Sequence, residues 1–234
     1  MSSQGTVRIL GAEDILWTVG VLADRRRALT PHAPVFWRPA AGSQKAHKDF
    51  LTYVLAEGGV AFRTDRSVVF AAPRGQGWLV DDLSVLAGRW QFDGVALWEA
   101  LAGDRAGAPV RLVCPTYEDD RADFARGRGL RIKESWWLLE LPGSGGGSGG
   151  AEVSLPGAAA LTVDAPPVYS PGGPILFLPS TSDSSIALPA ARGAAPVLGC
   201  AAIVVNQPSG DVGLGESLAD AGFRRHCDYF TGVL

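Results

Sequence analysis

The sequence predicts an α/β (α+β) chain: a mixed central sheet flanked by helices, followed by a second, shortened half that ends the same way. Three observations carry this reading. Runs rich in Val, Leu and Ile alternate with stretches whose apolar residues return every three or four positions, as strands and one-sided helices do. The segment GWLVDDLSVLAGRWQFDGVALWEALAG, from Gly77 to Gly103, changes from the first pattern to the second across one short turn, Gly88 to Asp93. The run PGSGGGSGG, from Pro142 to Gly150, marks a boundary, because glycine and serine bury little and lose much entropy when fixed. The expected division is a first domain over 1–142, a flexible linker over 143–150 and a shortened domain over 151–234.

Taken in order, Val7 to Leu10 reads as an edge strand and Ile15 to Leu29 as a helix capped by Asp14. Pro31, Pro34 and Pro39 hold the aromatic stretch HAPVFWRPA extended. Gln44 to Glu57 is a second helix stopped by Gly58-Gly59. VAFRTD and SVVFAAP form a hairpin that leads into the central strand Trp78 to Leu86, and Val95, Leu97, Trp98 and Leu101 define the buried stripe of the central helix. Val110 to Tyr117 is a strand, Glu118 to Arg128 a polar helix, and RIKESWWLLEL a strand. Beyond the linker, EVSLPGAAALTV and PPVYSPGGPILFLPS are strand-like, Asp183 to Pro196 reads as a surface loop, and VLGCAAIVVNQ with GLGESLADAGFRRHCDYFTGVL gives strand, helix and strand. That ending matches VRLVCPTYE to RGRGLRIKESWWLL in the first half, so a tandem arrangement is expected.

Composition narrows the function classes. The 234 residues are 47% hydrophobic, enough for a sizeable core. A net charge of −3, with 21 basic and 24 acidic residues spread through the chain, offers no basic stripe for nucleic acid. No apolar run is long enough to span a membrane and the N-terminus lacks signal-peptide character, so a cytoplasmic location is expected. The three cysteines, Cys114, Cys200 and Cys227, form no CxxC pair, which argues against both a disulfide framework and a metal site.

The central strand, turn and helix resemble the acyl-CoA-binding core of the GCN5-related N-acetyltransferases (GNAT), whose turn follows Gln/Arg-x-x-Gly-x-Gly/Ala. Here the turn reads Arg89-Trp90-Gln91-Phe92-Asp93-Gly94, with Phe92 at the central glycine position. The order of elements over the first 142 residues is also that of this fold. The resemblance implies acetyl-CoA or another acyl-CoA as cosubstrate, held by Leu83, Ser84 and Val85 on the central strand and by Arg89, Trp90, Gln91, Phe92, Asp93 and Gly94 at the helix start, where unpaired amides and the helix dipole suit a phosphate. In the second half, Arg192-Gly193-Ala194 is a weak remnant of such a turn.

Acyl transfer to an amine needs a base. Asp81 and Asp82 lie on the central strand, where alternation lets one of the two face a given cleft. The tyrosine that the family commonly uses as acid is absent from both halves; Tyr117 and Tyr53 are the available substitutes. His32, Phe36 and Trp37 in the proline-rich loop fall where the family places its acceptor side, whereas His47 and His226 read as solvated. Two functions follow from the resemblance: an N-acyltransferase acting on a small-molecule amine, or a non-catalytic ligand- or protein-binding protein that has lost turnover. A homodimer is compatible with either.

Overall fold

The computed structural model describes residues 6–142, 146–169 and 171–234. The chain folds into two compact units whose boundaries do not follow the expected ones. The first holds Met1–Ala28, Gln44–Ile132 and Tyr229–Leu234; the second holds Leu29–Ser43 and Lys133–Asp228. The final residues of the chain thus belong to the first unit, and most of the strand that precedes the linker belongs to the second. Residues 143–145 of the expected flexible linker lie outside the described residues. Its remainder is tied down: the Gly149 amide donates to Asp164 Oδ1 at 2.7 Å and the Gly150 amide to the Thr162 carbonyl at 2.7 Å. A Cβ on Gly149 would lie 2.3 Å from the Asp164 amide, so glycine serves here for close backbone approach.

In the first unit, β1 (Arg8–Ile9), β2 (Val60–Arg63), β3 (Val68–Arg74) and β4 (Gly77–Ser84) are antiparallel neighbours, and β5 (Pro109–Pro115) runs parallel to β4. The chain's last residues lie at β5's end, where the Gly107 amide donates to the Leu234 carbonyl and the Leu234 amide to Ala108. Alternation along β3 sorts the core into two layers. Val69 and Ala71 join Leu97, Trp98 and Leu101 of α3 (Val95–Asp104) and Phe124 and Ala125 of α4 (Asp119–Gly127). Val68 and Phe70 join Ile15, Val19 and Leu22 of α1 (Ile15–Leu29) and Leu51 and Val54 of α2 (Ser43–Ala56). The sheet is therefore covered by α3 and α4 on one face and by α1 and α2 on the other.

Asp14 is not a simple helix cap. It is buried and accepts from Arg63 Nη1 at 2.8 Å and Arg8 Nη2 at 2.9 Å, tying the start of α1 to β1 and β2.

In the second unit, β6 (Arg131–Glu140) pairs antiparallel with β10 (Ala202–Pro208), β10 pairs parallel with β9 (Ile175–Thr181), and β8 (Ala158–Val163) and β7 (Glu152–Leu155) complete the sheet antiparallel. Ser135 Oγ on β6 donates to Asp228 on β11 (Arg224–Val233) at 2.8 Å. The expected loop from Asp183 to Pro196 is a helix, α5 (Ser184–Val197), that carries Pro189 and Pro196. A mid-helix proline costs about 3 kcal/mol. Burial of Ala187, Leu188, Ala191 and Ala195 along one stripe outweighs it.

With α6 (Val212–Asp220), the second half runs β7-β8-β9-α5-β10-α6-β11, which repeats β2-β3-β4-α3-β5-α4-β6 without the leading strand and two helices. Among the described residues no helix is long and apolar enough to cross a membrane.

Candidate functional site

Two features of β4 open a site in the first unit. Pairing with β3 shifts register: Ala71 faces Val80 but Phe70 faces Asp82, so Asp81 is an extra, bulged residue. Pairing with β5 ends early, at Val80 opposite Leu112. From Asp81 onward the two parallel strands diverge, and the β5-facing edge of β4 has no ladder partner there. A bulge re-aims side chains and ends pairing, which is why bulges recur beside active sites.

The bulge also breaks the alternation on which the sequence reading relied. Val80 and Leu83 both enter the α3–α4 layer, which leaves Asp81 and Asp82 together on the α1–α2 side. Asp82 lies 3.4 Å from Arg26 Nη2 and 3.4 Å from His47 Nε2. Burial alone would raise its pKa, but the hydrogen bond from His47 and the charges of Arg26, His47 and Arg25 outweigh it and hold the carboxyl well below the usual range. Asp81 moves the other way. Burial against the sheet and the adjacent Asp82 charge raise its pKa, against the pull of Arg121, Arg25 and Arg26, while its side chain still reaches solvent. Two adjacent carboxylates are thus driven apart: Asp82 is held ionised, while the Asp81 pKa is raised and its side chain is the more exposed of the two.

A chain of ion pairs crosses the opening between β4 and β5. Arg121 of α4, 1% exposed, donates from Nη2 to the Asp81 carbonyl at 2.8 Å and from Nη1 to Glu118 at 3.3 Å. Glu118 in turn binds Arg25 of α1 through both carboxylate oxygens, one at 3.2 Å from Arg25 Nε. Tyr117 precedes Glu118 in the loop after β5 and is half-buried.

The turn beyond β4 closes as one π-helical turn, Trp90–Gly94, ahead of α3. Gln91 and Phe92 are exposed, and the Phe92 ring lies 5.3 Å from the Arg89 guanidinium. Asp93 and Gly94 require correction as phosphate contacts. The amides of Phe92, Asp93 and Gly94 turn back onto the Arg89 carbonyl. The Asp93 carboxylate is buried and accepts from Ser67 Oγ at 3.1 Å and Arg89 Nη2 at 2.7 Å. Gly94 makes room for rings, since a Cβ there would lie 3.1 Å from Trp90 and 3.5 Å from Phe124. Gln91 and Phe92 are the side chains the turn presents outward, while Trp90 packs against Phe124.

A splayed parallel pair, a bulge at the fork and a helix starting just beyond it point to one architecture. A scan against protein-family models gives no match, and neither does a search among curated proteins. Among solved structures, the chain is similar to a GCN5-related N-acetyltransferase from Sphaerobacter thermophilus, with a TM-score of 0.55 and 11% identity over 100% of this chain and 96% of that one. It is also similar to a tandem GNAT protein from the clavulanic acid biosynthesis pathway, with a TM-score of 0.51 and 13% identity over 97% and 98% of the two chains. The fold is the GNAT fold. At these identities the likeness is one of fold, and chemistry has to be argued from the site.

The second unit holds a similar fork with different chemistry. Between β8 and β9 the register again slips, with one extra residue at Leu178–Pro179, and β9 leaves β10 after Leu178 and Val205. Asn206 Nδ2 donates to the Pro179 carbonyl at 3.2 Å. The matching helix start is Ser182-Asp183-Ser184; Arg192-Gly193-Ala194 lies inside α5 and is no turn. A cavity of about 320 Å³ here is lined by Thr181, Asp183, Ser184 and Asp211 among others. Both helix starts are already capped by carboxylates, Asp183 to the Ser185 amide and Asp211 to the Leu214 amide, so a phosphate would meet two negative charges.

Of the remaining sequence candidates, Tyr53 is exposed on α2 in the first unit, and His32, Phe36 and Trp37 lie in the second unit. His32 is exposed. Phe36 is 3% exposed and packs with Leu138, Ile175, Ala202 and Val204 as core. Phe36 and Trp37 set their rings edge-on to His226, each with centroids 5.2 Å away. His226, expected to be solvated, is fully buried, and neither ring nitrogen has a hydrogen-bond partner among the described residues. His47, also expected to be solvated, is 1% exposed. Sequence reasoning missed Arg25, Arg26, His47 and Arg121; the run Arg25-Arg26-Arg27 on a helix with a buried apolar stripe is the signal that could have drawn attention to the first two.

Proposed function

We propose that the first unit is an acyl-CoA-dependent acyltransferase acting on a small-molecule amine, with Asp81 as general base. The observation that carries this reading is the geometry of the β4 bulge: an exposed carboxylate, Asp81, at the mouth of the fork, beside one held ionised by Arg26 and His47. The residues fit the cosubstrate in one respect: the β5-facing edge of Leu83 and Ser84 is free of ladder bonds, as an extended amide-bearing chain requires. Acyl-CoA supplies the activated acyl group. Asp81 takes the proton that the attacking amine must lose, and Asp82 stays charged and keeps Asp81 basic. Direct attack assisted by a base needs no tyrosine.

The test is thiol release from acetyl-CoA by the purified protein against a panel of small amines. Amine-dependent release is the expected result. Binding of acetyl-CoA without release for any amine would favour the second reading, a non-catalytic binding protein, for which the Arg121 bridge across the fork is the favouring observation.

A further inference from the structure

Arg121 occupies the place that a ligand chain would need. Its helix covers the α3–α4 face of the first unit's sheet, yet the ion-pair chain that starts at its guanidinium ends on Arg25 of α1, on the opposite face. The side chain thus reaches the point where β4 and β5 part after Val80 and Leu112. There it takes the bulge carbonyl of Asp81 at 2.8 Å, while its own Nε, buried, has no partner among the described residues. A guanidinium with an unsatisfied buried N–H is a strained plug, because that N–H has lost water and gained nothing. Glu118, the residue just before α4, grips both Arg121 and Arg25, so the three side chains form one latch.

We propose that Arg121 is an autoinhibitory gate: the Arg121–Glu118–Arg25 latch closes the β4–β5 fork, and the pantetheine arm of acyl-CoA enters only when Arg121 swings out. The proposal rests on the acyltransferase reading of the same fork. When the gate opens, the Asp81 carbonyl is released to accept from an amide of the arm, and Glu118 keeps Arg25, so no carboxylate is stranded. The apparent affinity of the chain for acyl-CoA is then reduced by the fraction of time the gate is shut.

Calorimetric titration of acetyl-CoA into wild type, Arg121→Met and Glu118→Gln, with thermal melting to verify folding, tests the gate. Arg121→Met keeps the apolar stem and removes the donors. It is expected to bind at least about tenfold more tightly than wild type, with Glu118→Gln intermediate. Equal affinity in wild type and a folded Arg121→Met overturns the gate and leaves the acyl-CoA reading standing. Weaker binding by the folded variant also overturns it, since Arg121 would then be a ligand for the cosubstrate. If none of the three proteins binds acetyl-CoA, the acyl-CoA reading falls and the gate with it. Should Arg121→Met fail to fold, the Glu118→Gln comparison decides, because loosening the latch must tighten binding.

Discussion

Asp81→Asn lowers amine-dependent thiol release by about 10²- to 10⁴-fold, the range for loss of a general base, and leaves acetyl-CoA binding unchanged. The substitution keeps the size of the side chain and removes only its ability to take a proton. Because the Asp81 side chain is exposed, melting of the variant stays near wild type. Asp82→Asn has a different signature. It removes the charge that helps raise the Asp81 pKa, so the rise of activity with pH moves to lower pH while activity persists. It also strips Arg26 and His47 of their carboxylate and therefore costs stability. Equal loss of activity in both variants with no shift in the pH profile would contradict the assigned roles.

The second large effect is on stability. His226 is fully buried between Phe36 and Trp37, and burial, with a smaller push from Arg224, depresses its pKa from 6.5 to about 3. The native state thus holds the neutral ring at pH values where the unfolded chain already binds a proton. Stability on this account is fully present above pH 6.5 and is lost as pH falls through the window from 6.5 to about 3. The whole shift corresponds to roughly 5 kcal/mol, of which about 3 kcal/mol is gone by pH 4, a large share of typical domain stability. Denaturant unfolding at pH 7 and pH 4 measures it. His226→Leu flattens that pH dependence, and because neither ring nitrogen has a hydrogen-bond partner among the described residues, the variant is at least as stable as wild type at pH 7. A pH dependence unchanged in His226→Leu would show that the acid sensitivity arises elsewhere. Asp82 is one such source: its depressed pKa gives stability that is lost only as pH falls below the ordinary carboxylate value of 3.8.

The parts of this fold that could be read in the sequence are those set by local periodicity. The step from β4 through the turn to α3 is visible because Leu97, Trp98 and Leu101 change the spacing of apolar residues within a few positions. The helix α5 was hidden by Pro189 and Pro196, whose local cost is exceeded by a buried stripe that becomes apparent only once β9 and β10 are in place beside it. The assignment of the closing strands could not be read at all. Which strand Tyr229–Leu234 joins depends on pairing across more than 100 residues, and periodicity is silent on that. The same limit applied at the site. Asp81 and Asp82 were legible as carboxylates on the central strand, but the bulge that puts both on one side depends on β3. Their partners Arg26 and Arg121 stand 56 and 40 positions away in sequence. A buried histidine and a solvated one look alike in sequence, which is why His47 and His226 were both misread.

Amide hydrogen exchange with and without acetyl-CoA tests the central claim, that the fork of the first unit holds the cosubstrate. The account predicts new protection along 81–84 of β4, where the β5-facing edge of the strand has no ladder partner among the described residues. Protection confined to the matching fork of the second unit, around Pro179 to Ser185, or no protection at saturating acetyl-CoA, would contradict it.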